Sequence, residues 1–151
     1  MANEAYRAVF LRIHPTGKMV LSLTTEADGH ETEYGGLVAA QLGVPPLDVK
    51  VVPADTNRFG EGHGFNTAPS PGTTAAITSA TGKILDKARL LAGAALSAPA
   101  DSLQWGDGAF TTATEPLQAA TIADLAMYSH SSGELPTGVE GGLDAQTVYR
   151  D

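Results

Sequence analysis

Residues 6–24, YRAVFLRIHPTGKMVLSLT, decide the fold. Alternation puts Tyr6, Ala8 and Phe10 on one side and Arg7, Val9, Leu11 and Ile13 on the other, the pattern of a strand with at least one buried face. Pro15-Thr16-Gly17-Lys18 carries turn chemistry, and Met19 to Thr24 is a second β-rich run. Together they form an antiparallel hairpin with a four-residue connection.

Outward from this hairpin the period changes. Thr32 to Leu42 spaces Leu37, Val38, Ala40, Gln41 and Leu42 as a short helix, ended by Gly43 and by Pro45-Pro46, which cannot continue it. Val49 to Val52 is a compact β run. The stretch from Ala54 to Pro71 holds Gly60, Gly62, Gly64, Pro69 and Pro71 and reads as a long loop, the kind that often carries function. From Thr73 to about Ser97, Ile77, Ile84, Ala88, Leu91 and Ala95 share one face, while Lys83, Asp86, Lys87 and Arg89 point outward or flank it, as in an amphipathic helix. Gly82 and Gly93 weaken that helix by roughly 1 kcal/mol each, which means either a close backbone approach or a dispensable position. Leu103 to Trp105, Gly106-Asp107-Gly108 and Phe110 to Thr112 make a second hairpin, with Asp-Gly supplying positive φ. Thr121 to Met127 is a short helix capped by Thr121, with Ile122, Leu125 and Ala126 inward. The expected architecture is α+β: a small, mostly antiparallel mixed sheet packed against one long and two short helices. Residues 1–130 form the domain, and 131–151 a Gly/Ser-rich C-terminal arm, either laid across the domain or poorly ordered.

Composition removes several functions. With 9 Lys plus Arg against 17 Asp plus Glu the net charge is -8, which disfavours a nucleic-acid partner. No cysteine is present, so disulfides, thiolate metal sites and Cys nucleophiles are excluded. No apolar run could span a bilayer and the start carries no signal-like segment, so the expected address is the cytoplasm, without a membrane partner. His14, His30, His63 and His130 include no His-x-x-x-His pair, so no metal is expected. Gly60-Glu61-Gly62-His63-Gly64 lacks the dinucleotide spacing. Ser70 and Ser129 lack an evident base, and a serine hydrolase is set aside.

The order of motifs resembles the large subunit of the xanthine dehydrogenase and aerobic carbon monoxide dehydrogenase family. It is carried by Ala27-Asp28-Gly29-His30-Glu31-Thr32 and Leu42-Gly43-Val44-Pro45, then by Asp48-Val49-Lys50-Val51-Val52 and Asp55-Thr56. Gly106-Asp107-Gly108-Ala109-Phe110 and the run from Leu135 to Ala145 continue it over nearly the whole chain. The resemblance implies an internal piece of the molybdopterin-binding region, in which two loops at helix starts present N–H groups and hydroxyls to the pterin and its pyrophosphate. It also implies that the family's catalytic glutamate falls beyond Asp151 and that the first cofactor-contacting half precedes Met1.

The departures from the family lie in those loops. Asp28 stands where the family has glutamine, and a carboxylate repels an anionic cofactor. Ala68-Pro69-Ser70 stands where the family has a Ser-Arg-Ser-like patch, so a hydroxyl and a basic group are missing and Pro69 has no N–H. The expectation from these substitutions is a domain that needs no cofactor and holds a small organic molecule, acting as a cyclase or isomerase by preorganising its substrate. Asp28 and His30 are the candidate catalytic groups; Tyr34, His63, Phe65, Asn66, Trp105 and Met127 are candidate substrate walls. Each has a plainer reading. Asp28 or Thr32 serves as a helix cap, Glu31 favours the helix dipole, and Trp105 and Met127 belong to the core. The alternatives are a small molybdopterin-binding subunit of a split hydroxylase or dehydrogenase, completed by partner chains, and a noncatalytic module that forms a homo-oligomer.

Overall fold

The computed structural model describes residues 7–24, 30–53, 72–131 and 135–149. The N-terminal hairpin is β1 (Arg7–Ile13) and β2 (Met19–Leu23), antiparallel, with Leu11 opposite Leu21. Val9, Leu11, Ile13, Met19, Leu21 and Leu23 are buried along one face, while Phe10 and Val20 lie on the other, more than a third exposed. Helix α1 (Glu31–Leu42) follows, then a single 3-10 turn at Pro46–Asp48 and β3 (Val49–Val52), which pairs parallel to β2 with Ser22 opposite Val52. The parallel pairing requires a crossover, and α1 is that crossover.

Helix α2 (Gly72–Ala95) lies across the sheet and buries Ala76, Ile77, Ala80, Ile84, Ala88, Leu91 and Ala92. The expected face is correct except at Ala95, which the last turn leaves exposed. The two helical glycines differ in kind. A Cβ on Gly93 would come 3.0 Å from the Ala98 carbonyl oxygen as the chain doubles back, whereas a Cβ on Gly82 would meet nothing within 4 Å.

The second hairpin is β4 (Gln104–Gly106) and β5 (Ala109–Thr111), turning through Asp107 and Gly108 at φ 52° and 78°. A third strand, β6 (Ala119–Thr121), pairs with β5 and makes a separate three-stranded sheet. Alanine-rich and three residues long, it carries no strand signal of its own. Helix α3 (Ile122–Ser131) begins in a reciprocal cap: the Asp124 N–H donates to Thr121 Oγ1 at 3.1 Å and the Thr121 N–H to Asp124 Oδ2 at 3.0 Å.

Residues 143–149 form β7 (Leu143–Tyr149), which pairs antiparallel with β1 along its whole length and completes a four-stranded sheet ordered β3-β2-β1-β7. The architecture is α+β, with three helices and two mostly antiparallel sheets among the described residues. One apolar core joins the inner face of the larger sheet to α1, α2, α3 and Phe110. Among the described residues no helix is long and apolar enough to cross a membrane.

Candidate functional site

Strand direction gathers three chain ends at one end of the larger sheet. β2 and β3 are parallel; β7, antiparallel to β1 as β2 is, runs the same way. The carboxyl ends of all three strands therefore lie together. From β2 the chain continues through 24–30 into the start of α1, and from β3 through 53–71 into the start of α2. Helix starts at the carboxyl ends of parallel strands form the usual ligand crevice of such sheets, because N–H groups without intrahelical acceptors open into it.

The two helix starts differ chemically. The first turn of α1 carries Glu31 and Glu33, and His30 occupies the N-cap without a side-chain cap bond. Its ring instead sets Nδ1 2.7 Å from Glu33 Oε2 and its centroid 5.9 Å from that of Tyr34, which is buried. Thr32, the other expected cap, lies inside the first turn, and Asp28 falls outside the described residues. With two carboxylates beside it, the start of α1 is already answered by negative charge. The start of α2 has no acidic residue in its first turn and offers Thr73 and Thr74. Thr73 is fully buried and its Oγ1 lies 2.8 Å from the phenol oxygen of Tyr149, the last residue of β7. Among the described residues an anionic group fits the start of α2, whose first turn offers main-chain N–H groups and the Thr74 hydroxyl and carries no carboxylate.

His30 and Tyr34 are the candidates that the structure brings to this end. Trp105 and Met127 lie elsewhere. Trp105 packs on Phe110 at 4.8 Å between ring centroids, in a hairpin whose turn touches Gly43 at the far end of α1. Met127 sits half exposed on α3, whose Ala123 meets Gly17 in the β1–β2 turn, again at the far end. Asp28, His63, Phe65 and Asn66, like Ala68-Pro69-Ser70, lie outside the described residues. Grooves are present on the outer sheet face, about 450 Å³ beside Phe10, Arg12, Val20 and Asp144, and next to α1, about 310 Å³ between Thr32, Gly35, Leu47 and Val51. Neither groove joins the candidate residues. Thr73 and Tyr149 were not singled out from sequence. The signals that mark them are a Gly-Thr-Thr helix start just after Pro71 and the period-2 run Leu143, Ala145, Thr147, Tyr149.

The family described as molybdopterin cofactor-binding domain matches residues 1–151. The large chain of carbon monoxide dehydrogenase from Hydrogenophaga pseudoflava is 32% identical over 142 residues, covering 92% of this chain and 17% of that one. The crystal structure of a Cu,Mo-CO dehydrogenase in its carbon monoxide reduced state superposes with a TM-score of 0.80 at 31% identity, over 95% of this chain and 18% of that chain. Quinoline 2-oxidoreductase from Pseudomonas putida 86 does so with a TM-score of 0.75 at 26% identity, over 97% and 19%. The chain thus spans about a sixth of the length of the relatives it matches, as an internal segment.

These matches overturn the expectation of a cofactor-independent cyclase or isomerase. That expectation rested on Asp28 and on Ala68-Pro69-Ser70 in the two loops, with a hydroxyl, a basic group and the N–H at Pro69 missing. Anion binding at a helix start rests mainly on the main chain, and the strands and helices that carry the loops are retained.

Proposed function

Because the chain belongs to the molybdopterin cofactor-binding domain family, we propose that it forms part of the seat of a molybdopterin-type cofactor within an oxidoreductase completed by other segments or chains. One observation carries this reading: parallel β2 and β3 end together, and at the same end of the sheet α2 begins without an acid, its buried Thr73 tied to Tyr149 of β7.

The first-turn N–H groups of α2, with the exposed Thr74 hydroxyl, would hold the phosphate-bearing part of the cofactor. His30 and Tyr34, at the start of α1, would border the same crevice, with Asp28 in the connection that leads to them. When bound, the cofactor supplies the redox chemistry; the chain's own residues hold and orient it. Relatives named for carbon monoxide and for quinoline share this one segment, which supports a role in cofactor holding and leaves substrate choice to other parts of the assembly. The dehydrogenase relative is named a large chain, which supports an assembly of several chains around this one.

The test is metal and pterin analysis of the protein, purified with its associated chains from cells that make the molybdenum cofactor. Molybdenum and pterin should elute with the chain in near-equal amounts. A preparation that carries neither contradicts the reading.

A further inference from the structure

We infer that Tyr149 is a positioning residue for the start of α2, fixing through Thr73 the N–H groups that receive the cofactor; this rests on the function proposed above. Three ties join β7 to α2, and they run in antiparallel order. Tyr149 meets Thr73 at 2.8 Å, Thr147 Oγ1 donates to Ser79 Oγ at 3.3 Å, and Lys83 Nζ donates to the Gln146 carbonyl at 2.6 Å. β7 is thus a splint along the first three turns of α2.

The tie at Tyr149 differs from the other two. It is partly buried where they are exposed, and it alone reaches the first turn, whose amides have no intrahelical acceptors. Thr73 is buried beneath that turn, so the position of its hydroxyl is coupled to the direction in which the neighbouring N–H groups point. The mutual bond uses one of the pair's two hydroxyl protons and leaves the second for a third acceptor. Loss of the phenol oxygen frees the first turn to shift by a few tenths of an ångström while the rest of the splint stays in place. Such a shift weakens several charge-assisted hydrogen bonds to one anion together.

The experiment uses the cofactor-loaded protein with its associated chains and follows release of pterin by its fluorescence after oxidation, alongside the melting temperature. Tyr149→Phe and Thr73→Val should each speed release about five- to tenfold. Thr73→Ser, which keeps the hydroxyl, should release at the wild-type rate. Thr147→Ala, which removes a neighbouring tie on the same strand, should lower the melting temperature as much as Tyr149→Phe and leave release unchanged. Release from Tyr149→Phe at the wild-type rate, or equal acceleration in Thr147→Ala, overturns the positioning role and leaves the proposed function standing. Wild-type protein with no pterin to release overturns both.

Discussion

At the scale of single residues, the glycines divide into those the fold cannot change and those it can. Gly43 ends α1 at φ 67°, and a Cβ there would lie 2.3 Å from the Cα of Gly108. A Cβ on Gly108, at φ 78°, would lie 2.6 Å from the Gly43 carbonyl oxygen, so the end of α1 and the turn of the second hairpin touch backbone to backbone. Gly43→Ala adds left-handed strain of about 1–2 kcal/mol to an overlap of about 1–3 kcal/mol, and denaturant unfolding should register a loss near 3 kcal/mol. Gly82→Ala sits in open space on a helix interior and should stabilise by about 0.5–1 kcal/mol. Sequence alone left both helical glycines of α2 undecided, because their cost is local and their justification is a neighbour distant in the chain or folded back upon it.

Elements are joined by a few polar contacts with assignable roles. Arg89, on α2, donates from Nη1 to the carbonyls of Leu103 and Ala100 at 2.8 and 3.2 Å, and its guanidinium carbon lies 5.0 Å from the centre of the Phe110 ring. This one side chain fastens the three-stranded sheet to the long helix. Arg89→Met keeps the stem and loses the charged donors, so unfolding free energy should fall by about 2–3 kcal/mol in chemical denaturation. A second contact joins α1 to α2: Gln41 accepts from the Thr81 hydroxyl and donates to Thr78 Oγ1 at 3.0 Å. It fixes the spacing of the two helices whose starts flank the crevice. Periodicity revealed both helices and the hairpins, since each keeps an apolar face of its own. It did not reveal β6, too short and small-sided to have a face, and the period-2 run of β7, filled with Ala145 and Thr147, is too weak to mark a strand until it is paired with β1.

For the molecule as a whole, topology rather than any one motif makes the site. A hairpin, a crossover helix and a returning C-terminal strand bring the carboxyl ends of β2, β3 and β7 to one end of the sheet, where a helix with an acid-free start begins. Of the candidate residues, His30 and Tyr34 lie at this end because they belong to the start of α1. Trp105 and Met127 were chosen for size, and size does not encode which end of a sheet a side chain reaches. The departures that argued for loss of the cofactor lie in the two loops, whereas the proposed seat is mainly main chain at the start of α2, visible only once the strands are paired. That seat can be read directly. The amides of Thr73 and Thr74 precede the first intrahelical acceptors, and they should exchange with deuterium rapidly unless a ligand accepts from them. Comparison of cofactor-loaded with cofactor-stripped protein should show exchange at Thr73 and Thr74 slowed at least tenfold on loading, with α3 unchanged; identical exchange in both states contradicts the account.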